Sequence, residues 1–588
     1  MKKNYLFAIA AIFGMNILFS QNGWPKHFDT LTLNKVNCPI TNNSDFTYNS
    51  INNRYLVPKN ANVSPLFAAS MWIGGFHNGA LHMGAMTYRQ NGMDFWPGPL
   101  DTITANTDTS ISSKYTSLWK INRFDIANFI YNWNHGNVQS GSFVPNNTIL
   151  NWPAHGTGAY SRRLAPFVDV NGNGVYDPIH DGDYPLIKGD EMIWWMFNDN
   201  AGSHGETGGA QFGIEVHASA YVFTCPSIAD SNKVLNYTTF YHYDIINRTS
   251  NKYDSTIVGL WMDTDLGNNG DDYIGCDVMN NYGFTYNGDN YDDYGYLYNL
   301  PVFACNVLKG PIADIGDMTD NNNNGYIDEP NETCLMNRFI YYTNTGNPQT
   351  GNPSANSPQQ YYNLVNGKWK NGTSMTYGGD GTVASNPACK LMFPGISDPY
   401  GISLGGSVIN PGVPPINNWT EYTGSVIKSD MRFLIGMGPF TMEPLSKYEV
   451  DYALVFSQDS SNCYGTVDTC VFARAKQDNI RVKRWFDTNS FPSCLNLNGV
   501  GIDQMSVPNE QIKVYPNPAS NYLYIELKEA KEKTTIEVFD MLGNIVKAGI
   551  FNDSQKYISV PVEDLTKGIY TVKIKIGNSF SVKKFVKE

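Results

Sequence analysis

The stretch Tyr237–Ile246 reads YTTFYHYDII, and its aromatic and β-branched side chains fill both faces of an extended chain. Residues of these types in period-two alternation are typical of a β-strand. A second β-rich stretch, Asp254–Met262 (DSTIVGLWM), follows the short polar segment Arg248–Lys252. Two strands so close in sequence favour antiparallel pairing. The sequence therefore predicts a long β-hairpin at the centre of the chain.

The same pattern recurs on both sides of this stretch. Leu66–Trp72 and Ala80–Tyr88 flank a segment that contains Asn78-Gly79, and Asn-Gly is a strong hairpin signal. Arg432–Leu434 and Glu449–Phe456 predict a further pair across the intervening residues 436–447. These segments indicate a mainly β fold whose body is a large, loop-rich β-sandwich.

Helices are expected to be few and short. Apolar residues repeat at helical spacing in Ile126–Trp133, with Asp125 in position to cap the helix, and again in Phe472–Phe486. Both stripes are typical of helices that face a core.

Composition and charge narrow the class of protein. Hydrophobic residues make up 41% of the 588 and charged residues only 16%. That is too apolar for a disordered chain and too poor in charge for a coiled coil. Residues 511–588 hold 12 Lys and 9 acidic residues, a net charge of +3, so the other 510 residues carry −16 and the whole chain carries −13. An acidic body repels phosphate backbones, and we expect no nucleic-acid partner.

The N-terminal segment predicts export. Lys2 and Lys3 precede Tyr5–Phe19, an apolar run of about 15 residues, which is shorter than the ~20 that span a bilayer. Ser20 then supplies a small residue, as in a secretory signal peptide over residues 1–20. No other segment reaches spanning length, so we expect no transmembrane segment in the mature chain. The nine cysteines are odd in number and leave at least one thiol outside any intramolecular disulfide.

A separate unit follows a linker at residues 496–512 that is rich in Asn, Gly, Ser and Pro. Its short segments alternate with period two, as in a small Ig-like β-sandwich. These segments are Tyr522–Leu527, Thr535–Phe539, Ile545–Ala548, Tyr557–Val562, Ile569–Ile576 and Ser579–Val586.

Four ordered motifs in this unit resemble the type A sorting domain of type IX secretion cargo in Bacteroidota. They are Val514–Ser520 (VYPNPAS), Val538–Gly543 (VFDMLG), Leu565–Tyr570 (LTKGIY) and Lys583–Val586 (KKFV). The resemblance implies handling by the type IX machinery, a secreted or outer-surface location, and either release or attachment to surface lipopolysaccharide. The body resembles uncharacterised cargo proteins of the same bacterial group.

Two loops with the ligand order of an EF-hand predict calcium. In both, Asp and Asn occupy positions 1, 3 and 5, Gly position 6 and Asp position 9, with a carbonyl ligand at position 7. The first comprises Asp169, Asn171, Asn173, Val175 and Asp177, with Asp181 or Asp183 in place of the usual Glu at position 12. The second comprises Asp320, Asn322, Asn324, Tyr326 and Asp328, with Glu329 or Glu332 in that role. A metal-free Asx-turn loop is the alternative.

A third acidic cluster contains Asp263 and Asp265, with Asp271, Asp272 and Asp277 nearby. Its spacing fits no calcium template, so calcium and a solvated acidic loop stay equal alternatives.

Residues 204–217 bring two His and two Glu together in sequence: His204, Glu206, Glu215 and His217. The spacing matches no zinc-protease motif, and hydrogen bonding within a loop is the favoured interpretation over a metal or acid-base site. Phe95-Trp96 and Trp194-Trp195 would serve either sugar stacking or a core.

The domain boundaries expected are residues 1–20 for the signal peptide, 21–495 for the β-rich extracellular body, 496–512 for the linker and 513–588 for the sorting domain. A division of the body into two subdomains near residues 205–230 stays open. The function expected is calcium-stabilised adhesion, structural support or binding of a glycan or matrix ligand, without catalysis. The alternative is a secreted hydrolase of polysaccharide or protein, with a site near His204, Glu206 and Asp263.

Overall fold

The computed structural model describes residues 27–48, 54–107, 110, 113–225, 230–458, 469–492, 512–527, 534–539, 545–551, 556–576 and 579–588. The expected signal peptide and the linker up to residue 511 lie outside these residues. The chain divides into two compact units, residues 1–129 with 136–495 and residues 130–135 with 496–588.

The first unit holds most of the strands. In chain order they are β1 (Phe28–Leu31), β2 (Cys38–Thr41), β3 (Thr47–Tyr48), β4 (Ala68–His77), β5 (Ala80–Gly84), β6 (Trp96–Pro97), β7 (Trp119–Asn122), β8 (Phe167–Val168), β9 (Tyr184–Pro185), β10 (Glu191–Asn198), β11 (Ile214–Val222), β12 (Thr238–Asn247), β13 (Tyr253–Asp263), β14 (Asp272–Asp277), β15 (Tyr282–Asn287), β16 (Pro301–Lys309), β17 (Arg338–Thr343), β18 (Met375–Thr376), β19 (Ala388–Cys389), β20 (Met431–Met442) and β21 (Lys447–Gln458).

Helices are few among the described residues, and three of the four are short. They are α1 (Arg123–Asn134), α2 (Asn147–Leu150), α3 (Pro358–Val365) and α4 (Thr469–Asp487), with 3-10 turns at Ser113–Tyr115, Asp230–Tyr237 and Ile402–Leu404. The two predicted helices are confirmed as α1 and α4. The predicted cap is wrong: Asn122 Oδ1 accepts the N–H of Asp125 at 2.9 Å, so the side chain one residue before α1 closes its first turn.

Two large sheets enclose one hydrophobic core. The nine-stranded sheet runs β14-β15-β16-β21-β12-β11-β10-β6, with β7 also on β10, and the six-stranded sheet runs β17-β20-β13-β4-β3, with β5 on β4. Side chains from both belong to a single buried cluster. The sheets approach so closely that a Cβ on Gly283 of β15 would lie 2.4 Å from the Phe339 ring of β17. The predicted β-sandwich is confirmed.

The predicted central hairpin does not form. β12 pairs with β11 and β21, whereas β13 pairs with β4 and β20, so the segment between them crosses from one sheet to the other. The predicted pair of Arg432–Leu434 with Glu449–Phe456 is wrong for the same reason, because β20 and β21 also lie in opposite sheets. Stacked sheets are only about 10 Å apart, a distance that a short polar turn spans as readily as it closes a hairpin.

The two crossovers are bonded to each other through Asn247. Its side-chain nitrogen donates to the carbonyl oxygen of Asn251 in the first crossover (2.7 Å) and to that of Glu443 in the second (3.0 Å). Asn247 is fully buried, so both bonds are shielded from water. The hairpin predicted around Asn78-Gly79 is confirmed, since β4 and β5 pair through His77 and Ala80.

The second unit is a small sandwich of two sheets. β22 (Ile512–Tyr515), β23 (Tyr522–Leu527) and β26 (Tyr557–Pro561) form one sheet; β24 (Thr534–Phe539), β25 (Ile545–Phe551), β27 (Gly568–Ile576) and β28 (Ser579–Lys587) form the other. Both contribute to one buried cluster that includes Leu523, Val538 and Phe585. The strands predicted for this unit are confirmed.

Candidate functional site

The first predicted calcium loop is closed at its ends by the antiparallel pair β8 and β9. Asp169 accepts the N–H groups of Gly172 (2.8 Å) and Gly174 (2.7 Å) through its two carboxylate oxygens. Asn171 accepts the N–H of Asn173 (3.0 Å), and Asn173 accepts that of Val175 (2.7 Å). Side-chain oxygens at positions 1, 3 and 5 therefore wind the backbone into a tight loop, which Gly172 and Gly174 permit with φ of +75°.

Carboxylates beyond position 9 brace this loop. Asp183, fully buried, accepts the N–H of Val170 (2.8 Å) and of Asp177 (3.0 Å), so it ties the two ends together. Asp181 accepts from the Asn173 side-chain nitrogen at 2.8 Å. Asp177 faces the turn that follows, where bonds from His180 hold its pKa below the ordinary value. The Val175 side chain is exposed.

The second predicted loop repeats this arrangement. Asp320 accepts the N–H groups of Asn324 (3.1 Å) and Gly325 (2.7 Å). Asn322 accepts the N–H of Asn324 (3.1 Å), and Asn324 accepts that of Tyr326 (2.8 Å). The loop therefore winds like the first, although the two are more than 100 residues apart.

The carboxylates of the second loop also take matching places. Glu332, which is buried, accepts the N–H of Asn321 at 2.6 Å, as Asp183 does for the corresponding position of the first loop. Glu329 accepts from the side-chain nitrogens of Asn322 (3.1 Å) and Asn324 (2.5 Å). Asp328 Oδ1 accepts a hydrogen bond from the N–H of Gly316 at 2.8 Å. The Tyr326 ring is exposed.

The third predicted cluster is partly assembled. One carboxylate oxygen each of Asp263, Asp265 and Asp430 lie within 4.8 Å of one another, the one such group found among the described residues. Arg432 forms ion pairs with Asp430 and with Asp263, the latter at 3.1 Å. Burial raises the pKa of Asp263 and of Asp265, and Arg432 partly offsets this.

The other three acids of that cluster lie outside this group: Asp272 and Asp277 are the end residues of β14, and Asp271 directly precedes it. Asp272 accepts the N–H of Leu266 at 2.8 Å, and Asp277 accepts from Asn280 at 2.9 Å. Asp271 is buried, and burial raises its pKa.

A polar pocket of about 430 Å³ lies beside Asp263. Its buried lining consists of Thr87, Glu206, Tyr342, Tyr361 and Arg432. The remaining lining comes from Phe67, Tyr88, Gln90, Asn91, Asn344, Asn352 and Pro353. Tyr88 joins the pocket to the acidic cluster, because its hydroxyl donates to Asp263 Oδ2 at 2.7 Å.

Glu206 is the buried carboxyl of this pocket. Its Oε1 accepts from the hydroxyls of Thr87 (2.6 Å) and Tyr361 (3.0 Å). Its Oε2 has no hydrogen-bond partner within 3.5 Å in the part of the chain that the structure describes. Burial raises the pKa of Glu206, and the two hydroxyls and the Asn91 amide lower it. The raised pKa makes the protonated form of Glu206, which can donate a hydrogen bond, more accessible than that of a carboxyl in water.

The remaining residues of the His-Glu segment have structural partners. His204 is buried between the carbonyl oxygens of Met83 (2.7 Å) and Asp199 (2.8 Å). Burial is the largest influence on Glu215 and raises its pKa. The hydrogen bonds and charges of His217 and Arg248, each 2.6 Å from Glu215 Oε1, together outweigh burial and lower the pKa to about 2. Of this segment only Glu206 lines the pocket.

The candidate aromatic pairs are buried. Phe95, Trp96, Trp194 and Trp195 are each at most 2% exposed, so they belong to the core and not to a sugar-stacking surface. Aromatic rings of the pocket come instead from Phe67, Tyr88, Tyr342 and Tyr361.

Sequence reasoning missed Asp430, Arg432, Tyr88 and Tyr361. Arg432 lies 169 residues from its partner Asp263, and Tyr361 lies 155 from Glu206. One signal was present: Arg432 interrupts the apolar run Met431–Met437, where a buried charge requires a partner.

Comparison with known proteins identifies the C-terminal unit. Residues 513–588 match the family described as the secretion system C-terminal sorting domain. The chain is therefore type IX secretion cargo, secreted or delivered to the outer cell surface. In the described part of the chain, no helix has the length and apolarity needed to cross a membrane.

Solved structures give only distant similarities. An immunoglobulin-like β-sandwich protein of the DUF3244 family from Bacteroides vulgatus is 22% identical, covers 13% of this chain and 85% of its own, and has a TM-score of 0.12. A polysaccharide lyase is 8% identical over 73% of this chain and 37% of its own, with a TM-score of 0.15. The BSP domain of a biofilm-associated protein is 12% identical over 62% and 61%, with a TM-score of 0.12. No curated protein matches the sequence.

Proposed function

We propose that the body is a calcium-stabilised extracellular binding module that holds a neutral sugar residue of a glycan in the Glu206 pocket. The observation that carries the proposal is the buried carboxyl of Glu206, whose Oε2 lacks a protein partner in the described residues. Burying a polar atom without a hydrogen bond costs about 1–3 kcal/mol, and a ligand hydroxyl removes that cost.

The rest of the lining suits a polyol. Gln90, Asn91 and Asn344 are exposed amides that offer donors and acceptors, and the Tyr342 and Tyr361 rings supply apolar contact. Asp263, Asp265 and Asp430 outnumber the single cation Arg432 beside the pocket, so the local charge disfavours an anionic ligand.

Calcium is proposed for the two wound loops. Both hold oxygens of positions 1, 3 and 5 in place, and both bring a further carboxylate, Asp181 or Glu329, to the amide at position 5. Oxygen-rich loops of this order bind calcium with Kd of about 10⁻⁴–10⁻³ M in extracellular modules. In the cluster of Asp263, Asp265 and Asp430, Arg432 already forms ion pairs with Asp263 and Asp430. Calcium at Asp263 and Asp265 is therefore proposed only as a second cation that binds beside Arg432.

A second candidate function is hydrolysis of a polysaccharide. It is favoured by two buried carboxyls, Glu206 in the pocket and Asp263 behind Tyr88, whose raised pKa values suit a general acid.

The pocket is tested by screening the full chain on an array of neutral and acidic glycans and measuring the Kd of the best neutral ligand by calorimetry. Glu206→Ala and Asn91→Ala should each weaken binding about fivefold, the value of one hydrogen bond of about 1 kcal/mol. The control Asn299→Ala removes an exposed amide outside the pocket. If all three variants bound the glycan with the same affinity as the wild type, the Glu206 pocket would be refuted as the binding site. Release of reducing sugar that Glu206→Gln abolishes would favour the hydrolase.

Calcium is tested by elemental analysis and thermal unfolding of the full chain with 10 mM calcium or with chelator. Each occupied loop should add about 1.4–2.7 kcal/mol at that concentration. Asp169→Ala and Asp320→Ala should each remove one bound ion, whereas the exposed Asp254→Ala should remove none. Unchanged unfolding and no bound calcium in the wild-type chain would refute the assignment.

A further inference from the structure

A second pocket, of about 460 Å³, brings two cations together beside the second loop. Arg338 and Lys390 both line it, from β17 and from the segment that follows β19. Arg338 donates to the Asn366 side-chain oxygen (3.2 Å) and to the Asn337 carbonyl oxygen (3.2 Å), which are neutral groups. No carboxylate oxygen lies within 4.0 Å of either cation among the residues that the structure describes.

These two charges are unusual in an acidic body. Arg338 is half-buried and Lys390 is exposed; partial desolvation lowers the pKa of both, and the charge of Arg338 lowers that of Lys390 further. The two cations therefore repel each other, and in the described residues neither forms an ion pair with a carboxylate, although Asp317 and Asp320 line the same pocket.

The carboxylates in the same lining are engaged elsewhere. Asp317 accepts from Thr319 N–H (2.8 Å) and from the Asn321 side chain (3.0 Å). Asp320 accepts from two N–H groups of its own loop. Neither neutralises the cation pair by direct contact.

We infer that this pocket binds an anionic sugar residue, with Arg338 and Lys390 facing its sulfate or carboxylate group. An anion with such a group accepts charge-assisted hydrogen bonds from both cations, and Arg adds its planar fork of donors. The volume exceeds that of a small inorganic ion and admits a ring, whose hydroxyls meet Thr319, Ser407 and Asn323 of the lining. This site is separate from the Glu206 pocket and stands on different residues.

The test measures binding of the full chain to immobilised dextran sulfate, polygalacturonate and uncharged dextran at low salt. Stronger binding to either polyanion than to dextran is expected, and the polymer preferred identifies sulfate or carboxylate as the group. Lys390→Gln should weaken that binding about tenfold, while Lys368→Gln, an exposed lysine outside the pocket, should leave it unchanged. The lysine-rich sorting domain is the same in both variants, so its attraction to polyanions cancels.

A second measurement separates a binding role from a structural one. Because Lys390 is repelled by Arg338, Lys390→Gln should leave the melting temperature of the unliganded chain unchanged or raise it. Equal polyanion binding by Lys390→Gln and wild type, binding to neither polyanion, or a lowered melting temperature in Lys390→Gln would overturn the inference.

Discussion

Glu421 offers a sharp test of the electrostatics of the body. Its side chain is fully buried; Oε2 accepts the N–H of Ile274 at 2.6 Å, and Oε1 has no hydrogen-bond partner among the described residues. Burial raises the pKa of Glu421 from 4.5 to about 8, and the Ile274 bond offsets only part of that rise. The protonated carboxyl is therefore the form that the fold accommodates.

The direction in which pH changes the free energy of unfolding follows from this pKa shift. A carboxyl whose folded pKa exceeds its unfolded value contributes stability that is complete below pH 4.5 and is lost as pH rises through about 8. One pKa unit corresponds to 1.36 kcal/mol, so the loss is about 3 kcal/mol at pH 7 and approaches about 5 kcal/mol above pH 8. Glu421→Gln keeps an oxygen for the Ile274 bond and has no charge to lose. It should therefore become more stable than the wild type, by about these amounts, as pH rises.

The assay is urea unfolding of the full chain at pH 4.5, 7 and 9, followed by tryptophan fluorescence. The quantity compared is the difference in free energy of unfolding between Glu421→Gln and wild type, which cancels the titration of all other groups. Glu443→Gln, an exposed glutamate, is the matched control and should show no trend. A difference that stays constant from pH 4.5 to 9 would refute the buried, protonated state of Glu421.

Three further substitutions test the fold. Asn247→Ala removes both bonds between the crossovers and should cost about 2–4 kcal/mol of unfolding free energy in urea, whereas the exposed Asn299→Ala should cost almost nothing. Gly310→Ala would place a Cβ 1.7 Å from the Cys334 carbonyl oxygen, so the variant should fail to fold when expression and circular dichroism are compared with wild type; normal folding would contradict this packing. Phe585→Ala empties a fully buried position of the sorting domain and should destabilise it by about 3–5 kcal/mol, which limited proteolysis of that unit would report.

Local patterns predicted the elements better than their partners. Period-two alternation located β12, β13, β20 and β21, and the Asn-Gly turn located the β4–β5 hairpin. The predicted strand pairing was wrong where a short turn crosses from one sheet to the other. Tyr241 of β12, for example, stacks on Tyr452 of β21, 211 positions away, and not on a residue of the next strand in sequence. Period-two alternation shows which side chains lie on each face of a strand, but it does not show which other strands pair with its two edges.

Sequence alone determined the sorting domain, the β-class of the body and the two Asp-Asn-Gly loops, because each depends on residues that are close together along the chain. Only the tertiary structure brought Glu206 to Tyr361, Asp263 to Asp430, and Arg338 to Lys390, because each of these contacts joins different elements of the sandwich. The burial that raises the pKa of Glu206 or Glu421 is likewise a property of the assembled sheets and loops, since a carboxyl in the unfolded chain remains in water.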